Sequence, residues 1–236
     1  SCDWSRKSFT LDSGPSKAVR TTFKNLYEKG LIYQGERMIN WDPSLETVLS
    51  DLEVEYEEVE GALYYIRYPI IGSGSYIVVA TTRPETMFVD TAVAVNPEDN
   101  RYSAFSGKKL LLPIVEREIP LIFDNSVDPN FGTGALKITP GHDPNDYEVG
   151  MRHKLPVLNV MNKNGHLNSN AGHYSDFDRF EARKHIIEEL ENAGLLEKIE
   201  PHTHSVGHSQ RSGVVVEPLV STQWFVDIKT LSEKAI

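Results

Sequence analysis

The chain has 236 residues, 39% of them hydrophobic and 25% charged, which is enough to bury a sizeable core in one large domain. Its formal net charge of −10 argues against tight, autonomous binding of nucleic acid through phosphates, which requires a basic surface. Because no apolar run approaches the roughly 18 residues of a membrane helix, no apolar signal core is present, and the single Cys2 excludes an internal disulfide, we expect a cytoplasmic protein without a membrane partner.

The first predicted element is a helix between Ser13 and Gly30. Pro15 suits its first turn, and Gly30 is a typical stop. The apolar side chains of this segment recur at helical spacing and share one face: Val19, Phe23, Leu26 and Tyr27. We therefore expect this face to be buried in the core.

From Leu31 onward the sequence changes to short runs of β-forming residues separated by Gly, Pro, Asn and Asp. The predicted strands are residues 63–68, 76–81, 91–95, 110–115 and 119–122. These runs predict a mixed, sheet-rich α/β fold with a barrel-like body and peripheral helices.

Two further helices are predicted in the second half of the chain. One opens near Asp143, which can cap it, with Pro144 in its first position and Asp146 close to its positive end. The other spans about 178–193 and stops at Gly194. Its apolar stripe is also expected to be core: Ala182, Ile186, Leu190 and Ala193.

The last predicted element is a strand at residues 214–220, which leaves the domain. It is followed by the apolar run Trp224-Phe225-Val226, which we expect to pack against something outside this chain.

Residues 132–150, GTGALKITPGHDPNDYEVG, concentrate polar side chains around the predicted strand-to-helix turn. At such a turn Asp143 and Asp146 lie at one opening with the free N–H groups of the helix. Lys137 and Thr139, two residues apart, share one face of the preceding strand. The carboxylates can bind an ammonium group or orient water, and the lysine can stabilise developing negative charge.

Simpler roles stay open for three of these residues. Asp143 before Pro144 is a standard helix cap, and Asp146 can merely complement the helix dipole. Lys137 can equally belong to a solvated strand face.

A second cluster, ATTRPETMFVD at residues 80–90, combines adjacent hydroxyls, a guanidinium and a rigid proline turn at the end of a predicted strand. Such groups can hold a ribose, a backbone amide or a water molecule. The candidates are Thr81, Thr82, Arg83 and Thr86. Threonines are also good strand formers, and Arg83 with Glu85 can be a surface ion pair, so the spacing alone leaves both interpretations open.

Other signatures of chemistry are weak or missing. Three histidines occur at H-x-H-x3-H spacing without a cysteine or an ordered carboxylate partner: His202, His204 and His208. We therefore predict no metal. Because Ser-His-Asp, Cys-His, P-loop and dinucleotide patterns are also missing, we predict no cofactor and expect water to be the nucleophile of any hydrolysis.

At these two clusters the sequence resembles the connective insertion, or editing domain, of the class I valyl-, isoleucyl- and leucyl-tRNA synthetases, and the resemblance covers nearly the whole chain. ATTRPET at 80–86 and GTG…TPGHDPNDYEVG at 132–150 are shared by the group in general form. Typical of the valyl member are TTRPET followed by Asp90-Thr91, the run HDPNDYEVG, and VGHSQRSGVVVEPLVSTQWFV at 206–226. The isoleucyl pattern has tryptophan after TTRP, and leucyl enzymes usually carry TTRPDT.

The resemblance also implies a domain organisation. Signatures of the HIGH and KMSKS types, which form the ATP site, do not occur in this sequence, so we expect a detached proofreading part that cannot aminoacylate. Residues 1–43 resemble the segment leading into the insertion, 44–216 the editing domain, and 217–236 the return to the catalytic body. The implied partners are the missing catalytic and anticodon-binding parts and the 3′ end of tRNA; a domain that receives only this end needs no basic surface.

The implied activity is deacylation, the hydrolysis of the ester bond of threonine mischarged onto valine tRNA. A hydrophobic pocket for valine cannot strongly reject threonine, an isostere with a hydroxyl, and the valyl enzyme is itself the standard example of this limit. Two alternatives stay open: an isoleucyl- or leucyl-type domain that prefers other aliphatic products, and a non-catalytic module that only docks the tRNA acceptor end.

The resemblance assigns roles to nine residues. The catalytic positions are Lys137, Asp143 and Asp146. The substrate-binding positions are Thr81, Thr82, Arg83, Thr86, Thr139 and His142. Within this set Asp146 is expected to bind the α-ammonium group of the substrate, while Lys137 and backbone N–H groups stabilise the oxyanion formed when water attacks the ester.

Overall fold

The computed structural model describes residues 3–233, so Cys2 lies outside the described residues. The helices are α1 (Ser13–Glu28), α2 (Pro144–His153), α3 (Arg179–Asn192) and α4 (Ile228–Ser232). The strands are β1 (Ile32–Asp42), β2 (Thr47–Leu49), β3 (Val54–Pro69), β4 (Tyr76–Thr81), β5 (Ala92–Val95), β6 (Lys109–Leu111), β7 (Glu118–Phe123), β8 (Ala135–Ile138), β9 (Leu196–Ser209) and β10 (Glu217–Val226). Short 3₁₀ helices lie at Asp51–Glu53, Pro84–Val89, Ser103–Phe105 and Ser169–Tyr174. No helix in residues 3–233 is both long and apolar enough to cross a membrane.

The strands of the described residues pair into three sheets, ordered β10-β1-β2, β4-β3-β9 and β6-β7-β5-β8. β3 pairs antiparallel with both β4 and β9, whereas β5 lies parallel to β7 and antiparallel to β8. The predicted mixed, sheet-rich α/β class is confirmed. Each sheet in this part of the chain is open at both edges, so none closes into a barrel.

The chain folds as two compact units. One combines the described residues up to Arg37 with those from Ser221 onward, and the other is Met38–Val220. We call them the smaller and the larger unit. The domain boundaries predicted after residues 43 and 216 stay predictions.

The core of the larger unit lies between β3, β4, the four-stranded sheet and α3. The β3–β4 register places fully buried side chains opposite each other: Ile66 with Val79, and Tyr68 with Ile77. The predicted stripe of α3 is buried at Ala182, Ile186 and Leu190. Ala193 is exposed instead, because the helix ends at Asn192 and Ala193 is its C-terminal cap. Burying a Leu or Ile side chain of this stripe contributes roughly 1.5–3 kcal/mol.

Helix α1, in the smaller unit, has the predicted position but not the predicted burial. It ends before Gly30, whose φ of 70° suits glycine, yet none of its residues is buried. Val19, Phe23 and Tyr27 are 67%, 45% and 56% exposed. The expectation of a core face is therefore wrong within this chain. Phe23 and Tyr27 only meet Trp224 edge-on, with ring centroids 5.6 and 6.2 Å apart.

Several strand predictions need correction, although those at 76–81, 91–95 and 119–122 match observed strands closely. The predicted strand 63–68 lies within β3, which begins earlier, at Val54. β6 stops at Leu111 instead of residue 115, because left-handed φ values of 66° at Ile114 and 51° at Glu116 turn the chain. The last strand begins at Glu217 and continues through Val226. β1 and β9 were not predicted. β9 has a polar sequence and pairs with β3 along nearly its whole length.

Candidate active site

One cavity of the larger unit gathers both predicted clusters. Its volume is about 290 Å³, near the lower limit of the ~300–1,000 Å³ typical of small-ligand sites. All nine predicted site residues line it: Thr81, Thr82, Arg83, Thr86, Lys137, Thr139, His142, Asp143 and Asp146. Five further residues complete its walls: Leu63, Ala80, Phe131, Leu136 and His202.

The cavity lies where two strands end beside the beginning of a helix. β4 ends at Thr81 and is followed by the 3₁₀ helix Pro84–Val89, while β8 leads through a tight turn into α2. In this turn the His142 N–H donates to the Thr139 carbonyl over 3.0 Å. A Cβ atom at Gly141 would clash with the carbonyl oxygen of Leu158, so the turn requires glycine. The predicted strand-to-helix turn is confirmed.

A buried ion pair lies on the β8 side of the cavity. Lys137 Nζ is 3.0 Å from Oδ1 of Asp90, and the two side chains are 8% and 0% exposed. Thr139 donates its hydroxyl to the same oxygen over 2.6 Å, and Tyr68 donates to Oδ2 over 2.7 Å. Burial raises the pKa of Asp90, against the lowering effects of Lys137 and the two hydroxyls. The alternative that Lys137 belongs to a solvated face is therefore wrong.

The ammonium group of Lys137 has three N–H donors, and three acceptors surround it. Besides Asp90, these are the hydroxyl oxygens of Thr86 at 3.1 Å and Thr139 at 2.5 Å. A bound oxyanion can therefore accept a hydrogen from Lys137 only by replacing one of these partners. Without such an exchange, the lysine acts on the cavity through its charge alone.

The two aspartates of α2 differ in their surroundings. Asp143 Oδ1 accepts hydrogen bonds from the N–H groups of Asn145 and Asp146, at 2.8 and 3.0 Å, so the predicted cap is confirmed. Asp146 is 6% exposed, and its Oδ2 accepts from the Thr139 N–H at 2.8 Å. Burial, and next the charge of Asp143, raise the pKa of Asp146 to about 7. Among the described residues, Asp146 Oδ1 has no hydrogen-bond donor.

The first N–H groups of α2 are already occupied. Pro144 has none, those of Asn145 and Asp146 are held by the Asp143 side chain, and that of Tyr147 donates to the Asp143 carbonyl at 2.9 Å. The expectation that free helix N–H groups face the cavity at this turn is therefore wrong, because the capping aspartate uses them.

His142 is buried in the wall of the cavity, where its Nε2 accepts a hydrogen bond from the Val160 N–H at 2.9 Å. Burial, followed by the charges of Arg83 and Lys137, lowers the pKa of His142 to about 3. The imidazole is therefore neutral at physiological pH and carries its hydrogen on Nδ1. It can shape a binding site but is poorly suited to exchange protons there.

The threonine-rich wall is organised around Arg83. The Arg83 N–H donates to Thr81 Oγ1, and the Thr86 hydroxyl donates to the Arg83 carbonyl, both over 3.0 Å. The Arg83 guanidinium contacts Glu217, lies 3.3 Å from Glu85, and reaches the His142 carbonyl at 3.4 Å. Its backbone and side chain are thus both fixed.

Arg83 belongs to a network of buried charges. Glu85 and Glu217 are 1% and 3% exposed, so the surface-pair interpretation of Arg83 and Glu85 is wrong. Arg183 binds Glu85 through two donors at 2.8 and 2.7 Å, and Arg179 Nε lies 2.6 Å from Glu217. Burial lowers the pKa of Arg83, but Glu217 and Glu85 outweigh it, and the pKa is raised overall.

The three histidines considered as metal ligands lie along β9. The part of the chain that the structure describes contains no group of three or more His, Cys, Asp or Glu side chains arranged to hold a metal ion. His202 instead lines the cavity, and His204 stacks on it.

Besides His202, two polar or aromatic residues at or beside the cavity were not among the predicted site residues. Asp90 is a lone carboxylate between apolar residues in MFVDTAVAV, which is itself a signal of a buried, paired charge. Phe131, 62% exposed, lies at the cavity in the loop before β8. An exposed aromatic among glycines gives no comparable signal, because single surface hydrophobic residues are common.

The chain is similar in sequence to class I tRNA synthetases. The family model described as tRNA synthetases class I (I, L, M and V) matches residues 1–236. The valine–tRNA ligases of Anoxybacillus flavithermus and Geobacillus stearothermophilus are 61% and 60% identical to this chain over 99% of its length. The chain spans 27% of the length of each. A solved leucyl enzyme from Agrobacterium radiobacter K84, in a ternary complex with tRNA, aligns with 83% of this chain and 33% of its own at a TM-score of 0.46 and 21% identity.

Proposed function

Because the chain belongs to the class I tRNA synthetases of the isoleucyl, leucyl, methionyl and valyl group and corresponds to a segment of valine–tRNA ligases, we propose that its cavity hydrolyses the ester of threonine mischarged onto valine tRNA. The observation that carries this proposal is the pair of aspartates at the start of α2, which lie beside a buried lysine in one small cavity. The tRNA 3′ end, the remaining parts of a longer synthetase and a cytoplasmic location belong to the same proposal.

Asp146 is the group best suited to bind the α-ammonium group of an aminoacyl ester. Its Oδ2 is oriented by the Thr139 N–H, and Oδ1 is left without a donor from the described residues. A buried carboxylate with a pKa of about 7 gains a favourable partner when a cation enters, and the cation favours its ionised form. Substrate binding therefore relieves the cost of burying this charge.

The same cavity can distinguish threonine from valine. Asp143 Oδ2, which accepts no hydrogen bond from the described residues, offers an acceptor to a threonine hydroxyl, whereas a valine methyl group in that place shields this oxygen from water and leaves it unpaired. An unsatisfied buried polar group costs about 1–3 kcal/mol, which corresponds to roughly 5- to 150-fold in rate. This selectivity is opposite to that of a hydrophobic pocket built for valine.

Hydrolysis itself requires water and stabilisation of an oxyanion. Asp143 uses Oδ1 to cap α2, and its Oδ2 accepts no hydrogen bond from the described residues, so it is available to orient the attacking water. Lys137 supplies the positive charge nearest to the developing oxyanion, through exchange of a threonine partner or at short range. Water attacks the ester carbonyl, and the terminal ribose leaves with its hydroxyl restored.

The exposed ring of Phe131 is the natural contact for the terminal adenine. It lies at the cavity, is 62% exposed, and lies close to Leu136 and Ala80, which line the same wall. Stacking of one base on an aromatic side chain contributes about 1–3 kcal/mol and does not depend on base identity.

The proposal is tested by replacing Asp146. We expect Asp146→Ala to reduce deacylation of threonyl-tRNA to the uncatalysed rate, because the substrate loses the partner of its ammonium group. Circular dichroism should show an unchanged fold. Glu148→Ala, an exposed residue of the same helix outside the cavity, is the matched control and should retain full activity. Full activity in Asp146→Ala would contradict the role of Asp146 in binding the α-ammonium group of the substrate.

A further inference from the structure

The loop between β7 and β8, residues 124–134, carries Phe131 beside the candidate active-site cavity. This loop contains no helix or strand, and Phe131 is 62% exposed. An exposed ring keeps one orientation only if the backbone that carries it is fixed. The contacts of the loop backbone therefore determine whether Phe131 can serve as a stacking surface.

Two consecutive residues of the segment after β5 bond this loop on both sides of Phe131. Arg101 Nη2 donates to the Pro129 carbonyl oxygen over 2.7 Å. The Tyr102 hydroxyl donates to the Thr133 carbonyl oxygen, also over 2.7 Å. Pro129 precedes Phe131 by two residues, and Thr133 follows it by two. The loop is thus attached to one dipeptide at two points that are equally distant in sequence from the ring.

The guanidinium group of Arg101 is itself fixed by Asp99, which is 8% exposed. Arg101 Nε lies 2.9 Å from Oδ1 of Asp99, and Nη2 lies 2.6 Å from Oδ2, so the pair is bidentate. The Arg101 side chain also lies over the ring of Tyr102, 5.5 Å from its centre. A planar guanidinium can bond both carboxylate oxygens and a neighbouring carbonyl oxygen, whereas the ammonium group of a lysine cannot reproduce this arrangement.

Gly134, at the end of the loop, leaves the space that Arg101 occupies. Its φ of 74° suits glycine, and a Cβ atom there would clash with Nη2 of Arg101 and lie 2.9 Å from the Pro129 carbonyl oxygen. The Gly134 N–H also donates to the carbonyl oxygen of Phe131 over 2.9 Å. This glycine therefore both closes the turn at Phe131 and admits the arginine.

We propose that Arg101 and Tyr102 are positioning residues, which hold Phe131 in the orientation that stacks on the terminal adenine. This inference rests on the proposed function, in which Phe131 contacts that adenine. Neither Arg101 nor Tyr102 lines the cavity, so both act through the loop. A loop that is already ordered loses less conformational entropy when a ligand binds, and more of the stacking energy then contributes to affinity.

Arg101 has a rival role, because its side chain is 56% exposed and an exposed arginine can bind a phosphate group of tRNA. Its bonds to Asp99 and Pro129 favour positioning, since the carboxylate compensates the charge of the guanidinium and the carbonyl oxygen occupies one of its donors. A ligand without a phosphate group separates the two roles experimentally.

The test measures equilibrium binding of 3′-deoxy-3′-(threonylamino)adenosine, in which an amide replaces the hydrolysable ester and no phosphate is present. The variants are Arg101→Ala, Arg101→Lys and Tyr102→Phe, and the last removes only the hydroxyl group. The matched control is Arg67→Ala, because Arg67 likewise bonds one carboxylate, that of Glu197, and one backbone carbonyl, that of Gly194, but lies outside the cavity and the loop.

We expect the three variants to raise the Kd of this probe about 3- to 12-fold, which corresponds to the loss of one hydrogen bond to the loop. Phe131→Ala should raise it about 5- to 150-fold, the range for one stacked base. When Phe131 is already alanine, Arg101→Ala should change the Kd by less than about twofold, because the ring that it positions is gone. Arg67→Ala should also stay within about twofold of the unaltered chain.

Equal effects of Arg101→Ala with and without the Phe131 ring would overturn the proposal, as would an unchanged Kd in Arg101→Ala and Tyr102→Phe. Normal binding of the probe by Arg101→Ala, together with weaker binding of threonyl-tRNA, would assign Arg101 to a phosphate group instead. If circular dichroism shows that Arg101→Ala does not fold, Tyr102→Phe decides the question, because its ring still packs against the core.

Deacylation of threonyl-tRNA by the unaltered chain distinguishes failure of this proposal from failure of the proposed function. If the probe binds with the expected dependence on these residues but threonyl-tRNA is not hydrolysed, the hydrolytic function fails and the positioning role stands. If threonyl-tRNA is hydrolysed and the variants change nothing, only the positioning role fails. If the unaltered chain does not bind the probe, Phe131 is not an adenine contact, and the positioning role is contradicted.

Discussion

The β8 side and the α2 side of the candidate active site each bury an aspartate, but only the aspartate on the β8 side is fully paired within the described part of the protein. On the β8 side, Asp90 accepts hydrogen bonds from Lys137, Thr139 and Tyr68, and every donor of the lysine is occupied. On the α2 side, Asp146 is almost as deeply buried but receives one backbone hydrogen bond and faces no cation within bonding distance among the described residues.

The difference indicates two roles for buried polar groups: those with all their partners in the protein stabilise the structure of the site, and those that lack a partner are available to bind a ligand. A satisfied buried pair fixes the positions of its members, and its removal leaves a charge without a partner. An unsatisfied buried carboxylate costs stability until a ligand supplies the missing partner. The same residue type therefore has opposite expected effects on stability at the two positions.

The largest expected effect is the loss of stability in Asp90→Ala. Without Asp90 the ammonium group of Lys137 keeps only the hydroxyl groups of Thr86 and Thr139 as hydrogen-bond partners, so we expect the free energy of unfolding to fall by about 3–5 kcal/mol. Denaturant unfolding at neutral pH measures this change. The control is Glu118→Ala, which breaks the exposed pair with Lys109 and should cost no more than about 1 kcal/mol. Equal losses of unfolding free energy in Asp90→Ala and Glu118→Ala would show that the buried pair of Asp90 and Lys137 contributes no more than an exposed pair, which would contradict this account.

A change of opposite sign is expected for Asp146→Asn. In the folded state Asp146 keeps its proton up to about pH 7, whereas its ordinary pKa is 3.8. From about pH 4 to about pH 7 the folded state thus holds a proton that the unfolded state has lost, so the wild-type stability falls with rising pH across this window and is flat above it.

The amide cannot ionise, so Asp146→Asn should lack this decline and be more stable than the unaltered chain above pH 7, by about 2–4 kcal/mol. Unfolding curves at pH 4 to 8 for both proteins give the difference directly. A difference that is constant with pH would show that Asp146 behaves like a solvated carboxylate, and the contrast with Asp90 would disappear.

The smallest expected effect separates the two roles of Asp143. Asp143→Ala removes the cap of α2 and should cost about 0.5–2 kcal/mol of stability, whereas Asn is an equally good cap. We therefore expect Asp143→Asn to keep the stability but to slow deacylation of threonyl-tRNA. Thermal unfolding and deacylation rates of both variants test this. Unchanged activity in Asp143→Asn would leave the residue a cap only.

Much of the local structure around the site follows from the sequence. Asp143 before Pro144 predicts the start of α2, and the alternation of Lys137 and Thr139 predicts that both side chains reach one place. Local signals suffice here because a cap and a strand face are determined within a few residues.

The rest depends on partners that are distant in sequence. Arg83 meets Glu217 across 134 positions, and no local pattern indicates that this arginine is buried. β9 is polar and shows no strand signal, because its stability comes from pairing with β3. The apolar face of α1 illustrates the opposite error, since helical spacing reveals a face but not whether this chain covers it.

The most direct measurement is the ratio of the deacylation rates of threonyl- and valyl-tRNA by the unaltered chain, with the same valine tRNA. We expect the threonyl ester to be hydrolysed at least about fivefold faster, because a valine methyl group leaves the acceptor for the threonine hydroxyl without a partner. Equal rates, or faster hydrolysis of the valyl ester, would contradict this account of the cavity.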